Sequence, residues 1–310
     1  MSTKKLFLID ASLLKQSDCL RKVDYIHNQG LTTLQESFEA DYGTAFHKFV
    51  ASYTSGMDIP ESMQKGAQHY LFKCTNAPEG DFRTIDHLIM TMQYYVKGCF
   101  NRDIDLFKPS VINSKPAVEL QFSFPWYTCA EYDIMLTGTA DALGKYINGE
   151  EIINDYKVTA SWSKEEYLAK YDLDPQLITY SYLLKKFGIT PTYLPGMITG
   201  IFIKKPTQSK NVNGKRVAVD GWNGAEFIRS AVIYFTEGQI KDYELWMSNK
   251  IQQIVNSWLT SFHAPNFNRC GDYKGCQFRA LCREYDLPTR EYKQKVMFKT
   301  RLYDPSEFQK

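Results

Sequence analysis

Polar and apolar positions along this chain follow two periods, and the change from one to the other organises it. The first third is helical in period. Asp41 to Tyr53, Glu61 to Cys74 and Thr84 to Leu106 each read as a helix, the last with Leu88, Met92, Tyr95 and Val96 on its apolar stripe. From Ala117 the period becomes two: Val118, Leu120, Phe122 and Phe124 alternate with Glu119, Gln121 and Ser123, which predicts a strand with one polar face. Asp133 to Tyr146 and Glu150 to Thr159 predict the next two strands, with Asn148-Gly149 as the hairpin turn between them. The helix that follows has clear limits, with Asp174 as its cap, Pro175 in first position and Gly188 where a left-handed residue ends it. Gly196 to Lys204 and Ala231 to Phe235 predict two further strands. Thr236-x-x-Gln239 then forms a capping box for a long helix striped by Ile240, Tyr243, Met247, Ile251, Ile254 and Trp258. This order of elements describes an α/β fold, a sheet flanked by helices. No internal repeat and no linker rich in Pro, Gly or Ser divides the chain, so one domain is expected over residues 1–310.

Composition excludes some classes. Hydrophobic residues make up 44% and charged residues 23%, which rules out disorder or a fibre as a description of the whole chain. Thirty-seven Lys+Arg against 35 Asp+Glu leave a net charge of +2, so nucleic-acid binding must rest on local patches. One patch is Lys204, Lys205, Lys210, Lys215 and Arg216, with no acid until Asp220; Gly214 and the nearby Asn residues suggest a flexible loop or hairpin tip, either a solvated turn or a clamp tracking phosphates. Trp126, Trp162 and Trp222 lie near strand ends or loops, where core packing is the first expectation and base stacking the second. The apolar run Leu6–Ile9 is cut by Asp10, and Met197–Ile203 is only strand-sized. A soluble cytoplasmic or otherwise intracellular protein is expected, in a host cell if it is viral.

Seven Cys, an odd number, argue against a disulfide framework. Cys74, Cys99 and Cys129 are scattered and read as buried thiols. Cys270, Cys276 and Cys282 form a C-x5-C-x5-C run, with Gly271 and Gly275 to let the loop wrap an ion or cluster. Three soft ligands want a fourth, and Cys19 is the candidate, for iron–sulfur or zinc.

Four further groups carry chemistry. His47 closes Gly43-Thr44-Ala45-Phe46-His47 on the first helix; Asp141 closes Gly138-Thr139-Ala140-Asp141 in the second strand. Asp155-Tyr156-Lys157 lies in the third strand, and Gln176 and Tyr180 stand one turn apart on the capped helix. Residues two apart project to the same side of a strand, so Asp155 and Lys157 point together, and Asp141 can join them from the neighbouring strand. Two carboxylates and an ammonium on an apolar sheet are costly unless neutralised. A divalent cation does so through oxygen ligands, with His47 as a possible nitrogen ligand. Such an ion beside a lysine suits phosphodiester hydrolysis.

Together these groups resemble the motif series of the RecB-like branch of the PD-(D/E)XK nucleases. One N-terminal Cys followed by a C-terminal trio resembles its iron–sulfur members, such as the AddB nuclease domain and the CRISPR-associated exonucleases. The resemblance runs from about Cys19 to Cys282. It implies a restriction-endonuclease-like core at about residues 40–262, with a central mixed sheet flanked by helices. Segments near residues 10–30 and 263–290 would join at a [4Fe–4S] cluster held by Cys19, Cys270, Cys276 and Cys282. It makes His47, Asp141, Asp155 and the Tyr156 backbone carbonyl ligands of Mg2+ or Mn2+, and Lys157 the catalytic lysine. Gln176 and Tyr180 would support the site or contact the substrate backbone, and Glu119 matches a carboxylate often found on the preceding strand. The chain departs from the family pattern in the five residues between Cys270 and Cys276, where two are usual, which leaves Zn2+ as the alternative. It departs again at Val158, where Thr is common. The implied activity is a metal-dependent DNA exonuclease acting on single strands or free ends, in recombination, repair or viral DNA processing, with recombination or replication proteins as partners. The competing readings are an inactive nuclease-fold module that binds nucleic acid or scaffolds a complex, and a zinc- or cluster-centred interaction protein.

Overall fold

A computed structural model describes residues 4–34, 37–74, 78–101, 107–207, 209–212, 215–218, 221–271 and 275–300. The main strands are β1 (Lys5–Ile9), β2 (Val118–Thr128), β3 (Tyr132–Lys145), β4 (Glu151–Thr159), β5 (Gly196–Ile203) and β6 (Ala225–Arg229). The helices are α1 (Phe38–Thr54), α2 (Ile59–Lys73), α3 (Ile85–Asn101), α4 (Pro175–Lys186) and α5 (Glu237–Leu259). The chain forms two compact units, residues 37–120 with 139–235, and residues 1–36 with 121–138 and 236–310. The class is mixed α/β. Among the described residues no helix is long and apolar enough to cross a membrane.

In the unit built on residues 37–120 and 139–235, Gly149 takes φ 80° and turns β3 back on β4. That left-handed position is one glycine occupies without a Cβ penalty. The β3–β4 pair is antiparallel with Ala142 opposite Asn154. β4 and β5 run parallel, Asp155 opposite Ile198 and Lys157 opposite Gly200, and β6 closes the sheet antiparallel to β5. The sheet is therefore mixed. Alternation along β4 and β5 sorts side chains to two faces. On one face Ala142, Tyr156, Met197 and Ile201 share a core with Phe46 and Phe49 of α1 and Tyr95 of α3. Each fully buried ring there is worth about 1.5–3 kcal/mol relative to exposure. On the other face Leu177 of α4 lies against Gly196, where a Cβ would come within 2.8 Å of it, and Tyr167 meets Phe202 edge-on. α4 starts as its sequence predicts, the Asp174 carboxylate accepting the Gln176 N–H at 2.8 Å with Pro175 in the first turn.

The other unit contains β1, parallel to the first half of β3 with Phe7 opposite Ile134. α5 covers it through Trp258, whose ring lies 3.7 Å from that of Phe7 and 5.7 Å from that of Tyr132. Both hydrogen bonds of the Thr236–Gln239 capping box form, and all six residues of the predicted stripe are buried.

Several expectations need correction. No strand spans Ala231 to Phe235. The last strand is Ala225–Arg229, after which the Ser230 hydroxyl accepts the Ile198 N–H at 3.0 Å and the apolar run contributes only a bridge from Ile233 to Gly196. β1 had no counterpart in the sequence pattern, because its partner lies far along the chain and no turn signals it. Trp162 is 92% exposed, against the core packing expected of it, whereas Trp222 does pack, on His87 and Tyr94. Cys74 is buried, and burial raises its thiol to about 11, but Cys129 is only half-buried beside the Glu131 carboxylate. The expected hairpin in the basic segment is present, Ser209–Val212 pairing antiparallel with Lys215–Ala218; its tip at Gly214 lies outside the described residues, as do residues 102–106 of the long helix.

Candidate active site

Asp141 sits where the β3–β4 ladder stops. Beyond the Ala142–Asn154 pair the backbone of β3 no longer bonds β4, and the Asp141 carboxylate takes its place by accepting the Tyr156 N–H at 2.8 Å. The same oxygen lies 3.5 Å from Nδ1 of His47, which α1 brings in one turn before Ala51. Glu119 completes the group. Its φ of 50° is left-handed inside an otherwise extended strand, a conformation that costs a non-glycine residue of order 1–3 kcal/mol and clusters at functional sites. One ligand atom from each of His47, Glu119 and Asp141 lies within 4.8 Å of the other two.

Two carboxylates and an imidazole fit a divalent cation of the Mg2+ or Mn2+ class. Ligands at about 2.1 Å from an octahedral ion stand about 3 to 4.2 Å apart, which this spacing accommodates. Alternation alone did not mark Glu119, since in a regular strand it would join Gln121 and Ser123 on the polar face. The backbone reversal is what turns it.

Asp155 and Lys157 project to the same side of β4, as their spacing predicts, and Lys157 Nζ lies 2.6 Å from Asp155 Oδ2. The Gln176 side-chain amide donates to Asp155 Oδ1 at 2.9 Å and to the Tyr180 hydroxyl at 3.0 Å. Asp155 is 1% exposed. Burial pushes its carboxyl up to about 6; Lys157 and His47 pull it down, while Asp141 adds to the rise. Burial works against the Lys157 ammonium, but Asp155 and Asp141 outweigh it, and its pKa is raised. Asp155 thus feels both His47 and Asp141, while its oxygens are engaged by Lys157 and Gln176. Of Tyr156, the N–H is bonded to Asp141 and the ring turns to the opposite face, into the core.

Sequence reasoning missed Tyr171 and Tyr167. The Lys157 ammonium lies 5.9 Å from the centroid of the Tyr171 ring, and the Tyr171 hydroxyl donates to that of Tyr167 at 3.1 Å. Both stand on the connection from β4 to α4, where the only sequence signal was a spacing of one helical turn.

The four cysteines singled out as ligands gather in the unit that contains β1. Asn266 links two of them, its N–H donating to Cys19 Sγ at 3.4 Å and its carbonyl accepting from Cys270 Sγ at 3.8 Å. The Cys276 N–H donates to the Cys270 carbonyl at 3.1 Å. Burial raises the Cys282 thiol, Arg21 opposes that, and Cys276 and Cys19 add to it, so the three sulfurs share one electrostatic neighbourhood. Tyr25, Leu31, Phe278, Leu281 and Phe298 form the apolar cluster behind them. All four thiols are free and half-buried.

A model of the PD-(D/E)XK nuclease superfamily matches residues 13–283, a span that contains His47, Glu119, Asp141, Asp155, Lys157 and Gln176 and both Cys19 and Cys282. No curated protein matches the chain. Among solved structures, the crystal structure of SSO0001 is similar over 88% of this chain and 94% of that one, at 14% identity and a TM-score of 0.27.

Proposed function

Because the chain belongs to the PD-(D/E)XK nuclease superfamily, we propose that it is a metal-dependent deoxyribonuclease, an exonuclease acting at DNA ends in recombination, repair or viral DNA processing. The observation that carries this reading is the buried Asp155 paired at 2.6 Å with the half-buried Lys157, in the electrostatic field of His47 and Asp141, which with Glu119 are spaced for one cation. His47, Asp141, Asp155 and the Tyr156 carbonyl, joined by Glu119, would hold Mg2+ or Mn2+. Such an ion polarises a phosphoryl oxygen and lowers the pKa of bound water.

The protein's own groups do the rest. Lys157, kept charged by two carboxylates, stabilises charge that develops on the phosphate and orients the attacking water. Gln176 fixes the rotamer of Asp155, so the carboxylate is presented in one orientation. Burial of Asp155 removes competing solvent from that oxygen pair. The test is digestion of end-labelled single- and double-stranded DNA with Mg2+ or Mn2+ by wild type, Asp155→Ala and Lys157→Ala. Loss of at least about a hundredfold in both variants is expected. Equal activity in all three would trace the cleavage to a contaminant.

The cysteine group is proposed to hold a [4Fe–4S] cluster of structural role, a reading supported by the gathering of four free thiols and by the family resemblance of their order. Closing the loop of about 250 residues from Cys19 to Cys270 would remove roughly 5 kcal/mol of denatured-state entropy by the scaling for cross-links. Cys19→Ala and Cys282→Ala are therefore expected to lose visible absorbance and to melt at lower temperature. Iron, sulfide and zinc analysis of anaerobically purified protein checks the assignment: zinc without sulfide would replace the cluster by the ion, and an empty site would remove both.

A further inference from the structure

The face of β4 opposite Asp155 and Lys157 carries a cavity that the proposed reaction does not use. Its volume is about 400 Å3, and it lies on the α1 and α3 side of the sheet, within the roughly 300–1,000 Å3 of small-molecule sites. Its chemistry is asymmetric. Among the described residues, Arg229 of β6 and Lys108 are the cations that line it, and none of the described lining residues carries a carboxylate. Arg229 stands over the Tyr146 ring at 5.4 Å, which orients its guanidinium plane. The remaining described walls are mostly rings and hydroxyls, with Gly56, Met57 and Pro109. Tyr95, Phe107 and Tyr156 present aromatic surface, and the Tyr156 hydroxyl meets those of Tyr95 and Thr54 in the field of Arg229.

We infer that this cavity binds a nucleoside monophosphate, with its phosphate on Arg229 and Lys108 and its base among the rings. Planar bidentate recognition of phosphate is what a guanidinium does best, and aromatic rings accept any base by stacking. The choice of a nucleotide over another aromatic anion rests on the nuclease reading, because hydrolysis of a strand from its end releases this class of molecule. The shared chemistry, a terminal nucleotide phosphate, has two sources, the free mononucleotide and the end of a strand. The free mononucleotide is the occupant assigned here, since the cavity's volume suits one nucleotide. Its position also gives it a route to the catalytic groups. The Tyr156 ring lies edge-on to His47, centroids 6.5 Å apart, and its residue is flanked in sequence by Asp155 and Lys157.

The test is calorimetric titration of the full chain, without added divalent ions, with deoxyadenosine 5′-monophosphate, deoxyadenosine, inorganic phosphate and a 5′-phosphorylated tetranucleotide as separate probes. The mononucleotide is expected to bind at one site. Deoxyadenosine, phosphate and the tetranucleotide should each bind at least about tenfold more weakly, and Arg229→Ala should weaken the mononucleotide about tenfold or more. Lys108→Ala, on an exposed side chain, repeats the test should Arg229→Ala melt early. Asp155→Asn should leave binding unchanged. Binding lost in Asp155→Asn but kept in both cation variants would place the nucleotide in the active site and overturn the inference, as would no binding by folded wild type. Tight, Arg229-dependent binding of the tetranucleotide would overturn the free mononucleotide in favour of a strand terminus. Arg229-dependent mononucleotide binding without any DNA cleavage would leave the cavity standing and remove the nuclease reading alone.

Discussion

Glu119 spends backbone strain to reach its neighbours, and strain of that kind can be measured. Its φ of 50° would suit glycine, so Glu119→Gly should relieve of order 1 kcal/mol in the folded state, about the amount that glycine adds to the entropy of the unfolded chain. The expected outcome is a melting temperature without divalent ions no lower than wild type, together with Mn2+ affinity reduced by about tenfold or more; calorimetry and thermal melts read the two effects separately. A large loss of stability would mean that the reversal serves packing and not ligation. At this scale the sequence was informative where chemistry follows from simple alternation. Asp155 and Lys157 meet because they are two apart on a strand, and Gln176 reaches Asp155 from the first turn of a helix whose cap was plain to read. Glu119 was legible only as a family position, because nothing in Val118-Glu119-Leu120 announces a left-handed residue.

Among the elements, α2 approaches α1 closely at Gly66. A Cβ on Gly66 would stand 2.9 Å from the Ala45 carbonyl oxygen and 2.3 Å from Met92 Cε. The methionine can move but the backbone oxygen cannot. Gly66→Ala gains up to about 1 kcal/mol of helix propensity, against an overpacking cost of about 1–3 kcal/mol. The cost should prevail, so the variant is expected to be less stable by about 1 kcal/mol or more in urea unfolding. Unchanged or higher stability would show that α1 and α2 separate easily. Helix limits were the most readable feature at this scale, since Asp174, Pro175 and the Thr236–Gln239 box are local signals for local hydrogen bonds. Strands at the margin were the least readable. Ala225–Arg229 ends in charge and lacks a clean alternation, and β1 exists only because β3 lies ready to pair with it, a contact that local pattern does not encode.

On the scale of the molecule, the unit that holds the candidate active site is tied together by a buried histidine. His87 Nε2 lies 3.0 Å from the Lys204 carbonyl oxygen, which can only accept, so Nε2 carries the proton. Nδ1 then accepts from the Tyr42 hydroxyl at 2.8 Å, and the ring is neutral. Burial holds its pKa below the ordinary 6.5. Between that lowered value and 6.5 the unfolded chain binds the proton and the folded one does not, so this contribution to stability is full above about pH 6.5 and declines as pH falls through that window. Melting temperature should therefore drop below about pH 6.5, and His87→Gln, though less stable throughout, should show a shallower drop; parallel profiles would assign the acid sensitivity elsewhere. The unit containing β1 has a different consequence, drawn from the order in which a ribosome makes it. Its strand β1 and Cys19 emerge before the other unit, yet α5 and Cys270, Cys276 and Cys282 are translated after all of it. Residues 37–120 and 139–235 have all their own partners available once Phe235 has been made, whereas Cys19 stays without Cys270, Cys276 and Cys282 until that whole unit has been translated.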